Sequence, residues 1–180
     1  ERFFLYLPHF AVHAPHHAKP ELIEHFRGKP TAGGHHDPTY AAMIASVDQS
    51  VGRLTTLVDQ LGLGEKTLII FSSDNGGVGG YEREGIQGGS ITDNAPLKGG
   101  KGMLYEGGIR VPYIFRWPGR IPAGTVCDQP INSVDLYPTL LAVAGASPPP
   151  DYPLDGVNYL PALTSGGKTG LRREAIFWHF

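Results

Sequence analysis

Tyr40, Ile44, Val47, Val51, Leu54, Val58 and Leu61 recur at alternating steps of four and three. That period places them on a single stripe of one α-helix. Asp37-Pro38 supplies its start, with Asp37 as the N-cap and Pro38 at the first helical position. Gly62 and Gly64 close it. Short uninterrupted apolar runs stand on either side, Phe3-Phe4-Leu5-Tyr6-Leu7 and Thr67-Leu68-Ile69-Ile70-Phe71. Runs of this kind read as strands buried on both faces. Strand, helix and strand in that order predict a parallel βαβ unit, and so an α/β chain.

Further elements follow along the chain. Pro112-Tyr113-Ile114-Phe115-Arg116-Trp117 predicts a third strand, closed by Pro118-Gly119. Ser133-Val134-Asp135 is expected to cap a short helix over residues 136–144, ended by Gly145. Residues 9–38 read as a loop rich in His and Pro. From Pro148 the chain becomes a Pro-rich connector, and residues 175–180 read as a strand just beginning. The first residues lack a small-residue cleavage region and read as a strand rather than a signal peptide. A chain that starts and stops within secondary structure is expected to be a segment of a larger fold.

Composition narrows the function classes. A length of 180 residues suffices for one domain with a real core. The formal net charge of -2, with Lys and Arg scattered, gives no field to recruit nucleic acid or acidic membranes. The single cysteine, Cys127, excludes an intrachain disulfide and a Cys-rich zinc site. No run approaches the ~18 apolar residues of a membrane span. Glycine (25) and proline (16) are both abundant, with clusters in residues 76–108 and 148–161, which predicts long shaped loops on the scaffold.

Two of those loops carry groups with chemistry. Ser73-Asp74-Asn75-Gly76-Gly77 leaves the strand ending near Phe71, at the edge where open parallel sheets bind ligands. The oxygens of Asp74 and Asn75 suit a hard cation, Ca²⁺ or Mg²⁺, rather than zinc. A plain Asp-Asn-Gly turn accounts for the same residues. Lys101, between Gly100 and Gly102, stands where the backbone can approach a bound group. Its ammonium is a point-charge partner for a tetrahedral oxyanion such as sulfate or phosphate, or else a solvated loop lysine. Ala95 and Gly102 rule out a P-loop at this segment.

His13, after the first apolar run, could donate to an oxyanion or act as a general acid, or serve only the loop's structure. His16, His17, His35 and His36 read as surface loop residues. Glu106 and Arg110 read as an ion pair that shapes their loop. Cys127 has no nearby His, and no Gly-x-Ser-x-Gly elbow occurs, so the chain offers no covalent nucleophile.

Taken in chain order, these pieces resemble the formylglycine-dependent (type I) sulfatases of the alkaline phosphatase superfamily. The residues that carry the resemblance begin with the first apolar run and His13-Ala14-Pro15. The helix with Asp48 and Gly52-Arg53-Leu54 follows, then Ser73-Asp74-Asn75-Gly76-Gly77. Next come Pro96-Leu97-Lys98-Gly99-Gly100-Lys101-Gly102 and Tyr105-Glu106-Gly107-Gly108-Ile109-Arg110-Val111-Pro112. Trp117-Pro118-Gly119 and Asp135-Leu136-Tyr137-Pro138-Thr139-Leu140 complete the set, which covers nearly the whole chain.

The resemblance implies a segment of an alkaline-phosphatase-like sandwich, a mostly parallel central sheet flanked by helices. Residues 1–147 would form the C-terminal portion of the catalytic α/β domain. Residues 148–180 would be a connector and the start of a small C-terminal subdomain. Asp74 and Asn75 resemble two of the family's ligands to a single Ca²⁺. Lys101 resembles its lysine on the sulfate and ester oxygen, and His13 its sulfate-contacting histidine, sometimes assigned as leaving-group acid. The implied partner is a sulfate ester, from a sulfated sugar to an aryl sulfate. Periplasmic, lysosomal or secreted location is typical of the family.

The family's nucleophile is a formylglycine made within Cys/Ser-x-Pro/Ala-x-Arg, and no such motif occurs in this sequence. It is expected upstream, with further acidic calcium ligands, so that this chain alone is inactive and needs the N-terminal part of the domain. Two other readings stay open at this point. One is a phosphodiesterase or phosphonate hydrolase on the same scaffold, expected to bind metals through His and Asp. The other is a non-catalytic pseudoenzyme that keeps the fold without the nucleophile.

Overall fold

The computed structural model describes residues 2–87 and 91–179. The chain forms two compact units, one of Glu1–Leu61 and Ser72–Tyr113, the other of Gly62–Phe71 and Ile114–Phe180.

In the first unit, helix α1 (Pro20–Phe26) packs against helix α2 (Pro38–Gln60). The Asp37 carboxylate accepts from the backbone N–H groups of Thr39 at 2.7 Å and Tyr40 at 2.9 Å, satisfying donors that the first turn leaves free. Gly62, with φ +66°, ends the helix in the left-handed conformation the sequence required. Ala42 and Met43 are its buried residues. The apolar stripe beside them is half-buried at Tyr40, Val47, Val51, Leu54 and Val58 and exposed at Ile44 and Leu61.

Beyond Ser72 the described residues of this unit are mostly irregular, with a 3₁₀ turn at Glu82–Glu84 and one short α-helix, α3 (Glu106–Ile109). Its glycines pack backbone on backbone. A Cβ on Gly76 would fall 1.8 Å from the carbonyl oxygen of Gly107.

The second unit contains most of a two-stranded sheet, β1 (Ile69–Ser72) beside β2 (Tyr113–Arg116). The Trp117 indole donates to the Glu65 carbonyl at 2.9 Å, in the turn before β1. Helix α4 (Leu136–Ala144) starts and stops at the expected residues, with Gly145 at φ +71°. Residues 133–135 form one 3₁₀ turn, and Asn132 and Asp135 make a reciprocal capping box around it. Helix α5 (Leu160–Thr164) contacts α4. The Thr139 hydroxyl accepts from the backbone N–H of Tyr159 at 3.0 Å, and the Tyr159 ring meets Phe115 edge-on at 5.4 Å.

Asp135 and Arg173 tie the chain's last segment to α4. Their bonds run at 2.8 Å and 2.7 Å, one to each carboxylate oxygen, and the carboxylate is fully buried. Each Asp135 oxygen also accepts a backbone N–H, from Val157 at 2.8 Å and Asn132 at 2.7 Å. Burial alone would push this carboxyl up, but the Arg173 guanidinium and the two amides outweigh it and hold it below its usual range.

Three expectations are corrected. Residues 3–7 form no strand; Phe3, Phe4, Leu5, Tyr6 and Leu7 are 48% to 77% exposed. A strand exists only through its ladder, and among the described residues none is made with this run. The first strand of the expected βαβ unit is thus missing here. Residues 9–38 are not all loop, because Pro20 at a helix start followed by Leu22, Ile23 and Phe26 gives α1. Residues 175–179 are irregular for the same lack of a pairing neighbour, and Phe180 lies outside the described residues.

Candidate active-site wall

Asp74 and Asn75 lie in the bend just past β1. Asp74 is exposed, and its carboxylate has no hydrogen bond or ion pair among the described residues. The Asn75 amide nitrogen donates to the Gly76 carbonyl at 3.0 Å, which leaves its Oδ1 as the free acceptor. The Ser73 hydroxyl donates to the Asn75 carbonyl at 2.9 Å and tightens the bend. Two hard oxygen donors therefore sit on adjacent residues. They fit a Ca²⁺ by donor chemistry, as part of the six to eight oxygens that ion takes. Among the described residues no group of three or more His, Cys, Asp and Glu could hold a metal.

The structure brings the Lys101 loop to this bend through the backbone. Lys101 N–H donates to the Gly77 carbonyl at 3.0 Å, and Gly76 N–H donates to the Gly108 carbonyl at 2.8 Å. Gly107 N–H donates to the Lys98 carbonyl at 2.7 Å, closing the loop onto α3. The Tyr81 hydroxyl donates to the Lys101 carbonyl at 3.0 Å. The Lys101 ammonium itself has no partner among the described residues. These glycines are there for approach: a Cβ on Gly100 would fall 2.1 Å from the Gly79 oxygen and 2.7 Å from the Gly77 oxygen.

His13 is exposed, and its Nδ1 faces the Ala14 carbonyl at 2.8 Å. That contact requires the proton on Nδ1 and leaves Nε2 for a ligand. Among the described residues no hydrogen bond joins His13 to Asp74, Asn75 or Lys101. Glu106 and Arg110 form an exposed pair at 3.4 Å. Of the loop histidines, His35 bonds the buried Thr92 hydroxyl at 2.7 Å.

Sequence reasoning missed Asn94 and Tyr81. Asn94 Nδ2 lies 3.0 Å from the Gly77 oxygen, 3.3 Å from Gly79 and 3.1 Å from Gly99. The only local signal is a polar turn, Asp93-Asn94-Ala95-Pro96, before the glycines. Beside it Asp93 accepts from Ala95 N–H at 2.7 Å and from Arg83 at 2.7 Å and 3.0 Å. The amide and the guanidinium hold this carboxyl below its usual range. Two concavities, of about 470 Å³ against Tyr137 and Tyr152 and about 870 Å³ along α2, lie elsewhere. None of the candidate residues lines either concavity; His13 and Asp74 are exposed, and Asn75 and Lys101 are half-buried.

Comparison with known proteins gives the chain's family. The family model described as Sulfatase matches residues 1–146. The chain belongs to the sulfatase family. It is similar to the N-acetylgalactosamine-6-sulfatase of Canis lupus familiaris, 40% identical over 168 residues, covering 93% of this chain and 29% of that protein. To the steryl-sulfatase of Homo sapiens it is 40% identical over 157 residues, covering 86% of this chain and 26% of the other. The crystal structure of PsFucS1 sulfatase from Pseudoalteromonas sp. matches with a TM-score of 0.74 at 29% identity, covering 93% of this chain and 31% of that one. This sulfatase chain thus spans under a third of the length of these relatives. The expected alkaline-phosphatase-like α/β fold is borne out, and the described residues contain one two-stranded piece of its sheet.

Proposed function

We propose that the intact protein hydrolyses sulfate esters and that this chain supplies one wall of its active site. The observation that carries the reading is the backbone bond from Lys101 to Gly77, which couples the loop of the lysine to the loop of Asp74 and Asn75. The family match over both loops gives the coupling its chemical meaning.

In this reading the Asp74 carboxylate and Asn75 Oδ1 hold part of the coordination shell of one Ca²⁺. Bound there, the ion supplies charge neutralisation to the sulfate oxygens. Lys101 directs its ammonium to a sulfate oxygen and to the ester oxygen, where negative charge grows as the bond breaks. With Nδ1–H held by the Ala14 carbonyl, His13 acts in this reading as a doubly protonated ring, whose Nε2–H donates to a sulfate oxygen or gives its proton to the departing alcohol. No Cys/Ser-x-Pro/Ala-x-Arg motif occurs in the 180 residues, so this reading requires the formylglycine to come from outside this sequence. The substrate class is a sulfate ester. The relatives' names span a sugar sulfate and a steryl sulfate, and the alcohol is left to residues beyond this wall. Residues 79–94 are the loop here expected to read it, and residues 88–90 lie outside the described part.

The test is turnover of an aryl sulfate against the matching aryl phosphate by the intact protein, each with and without a calcium chelator. Faster sulfate turnover that collapses on chelation is expected. Faster phosphate turnover sinks the assignment, and no turnover of either ester makes the chain part of a pseudoenzyme.

A further inference from the structure

Asn94 lies outside the motifs that carry chemistry, yet its side chain reaches the most connected point of the wall. Three carbonyl oxygens, of Gly77, Gly79 and Gly99, surround its Nδ2 at 3.0 to 3.3 Å. This fixes the amide's rotation, since Oδ1 in the same place would face three acceptors. The Gly77 oxygen accepts from Asn94, from the Lys101 N–H at 3.0 Å and from the Gly79 N–H at 3.1 Å, so it is a shared acceptor for both loops. One side chain therefore joins the bend after Asn75 to the loop that presents Lys101.

There is little slack around it. The Cβ position of Gly100 lies 3.0 Å from Asn94 Nδ2, and that of Gly77 lies 2.7 Å from Asn94 Oδ1. Tyr81 completes the hold. Its hydroxyl takes the Lys101 carbonyl at 3.0 Å, so Lys101 is gripped on both its backbone polar groups.

We propose that Asn94 is a positioning residue, which sets Lys101 against the Asp74-Asn75 bend for sulfate ester hydrolysis, with Tyr81 as its second support. The inference rests on the sulfatase reading above. Its energetic basis is general: a reacting group misplaced by about 1 Å can cost on the order of 10²-fold in rate. A residue that served only the stability of the loop would instead lower the melting temperature and leave the kinetics of folded molecules alone.

The test is a double-mutant cycle in the intact protein, with aryl sulfate turnover and amide hydrogen exchange as readouts. Asn94→Ser is expected to lower kcat about 10- to 100-fold with a smaller change in KM. In a Lys101→Ala background the same substitution should cost less than about twofold, because the group it positions is gone. Tyr81→Phe, which keeps the ring and removes only the donor, should show the same non-additivity with a smaller loss. Equal losses in both backgrounds overturn the proposal, as does wild-type kcat in a folded Asn94→Ser protein. Exchange at residues 99–102 should quicken in Asn94→Ser whether or not the protein turns over sulfates, and unchanged exchange overturns the clasp itself. A wild type that leaves aryl sulfates intact defeats the sulfatase reading, and the exchange result still stands apart from it.

Discussion

Lys101 and Gly77 are joined by a 3.0 Å backbone hydrogen bond that crosses from one glycine-rich loop to another. Gly77 is two residues past Asn75, so this bond gives the lysine and the Asp74-Asn75 bend a common frame. Neither loop has regular structure of its own at this point. Their relative placement rests on such cross-bonds, on the Asn94 amide that reaches both, and on glycines whose lack of a Cβ lets the backbones approach.

Lys101→Ala in the intact protein is expected to lower aryl sulfate kcat by about 10²- to 10³-fold, the range for losing one aimed electrostatic group. Circular dichroism should be unchanged, because the ammonium has no partner among the described residues. Near-normal turnover removes Lys101 from the site.

Gly100→Ala tests the close approach. Its Cβ would lie 2.1 Å from the Gly79 oxygen, a backbone atom that can yield only by moving the loop. A destabilisation of about 1–3 kcal/mol or more is expected, with loss of turnover in the molecules that still fold. Chemical denaturation read beside kinetics checks both parts.

Asp135 and Arg173 predict an acid-sensitive latch in the second unit. The folded carboxyl lies below its ordinary value, so its contribution to stability is complete above the unfolded value of about 4. It is lost as pH falls through the lower folded value. Denaturation midpoints from about pH 6 to about pH 3 should fall more steeply for wild type than for Asp135→Asn. Arg173→Met, which strands the buried carboxylate, should cost about 3–5 kcal/mol at neutral pH. Parallel pH profiles for wild type and Asp135→Asn contradict this account.

Asp37→Ala should cost about 1 kcal/mol by freeing the Thr39 and Tyr40 amides at the start of α2. Asp37→Ser keeps an acceptor and should recover most of it, as urea midpoints will read.

What the sequence made legible was local. The stripe, the Asp37-Pro38 start and the Gly62 stop all lie within one helix, and α2 follows them closely. Residues 136–144 form α4 as expected for the same reason. Strands are different, because an apolar run needs a neighbour. Residues 69–72 find β2, while residues 3–7 pair with nothing described. At the site, Asp74, Asn75 and Lys101 stood out by residue type and glycine context. Asn94 did not, since its partners at Gly77 and Gly79 precede it by 17 and 15 residues and are backbone carbonyls, which no side-chain pattern marks. The Asp135–Arg173 pair spans 38 residues and was equally invisible.

The central claim, that this chain brings metal-ligating oxygens to a sulfatase site, is tested most directly by calcium titration of aryl sulfate turnover in the chelated intact protein, wild type against Asp74→Ala. The account predicts that wild-type activity returns with added calcium and that Asp74→Ala needs at least about tenfold more calcium or recovers little, a loss of about 1.4 kcal/mol or more in ion binding. Identical calcium curves for the two proteins, with equal maximal rates, would contradict it.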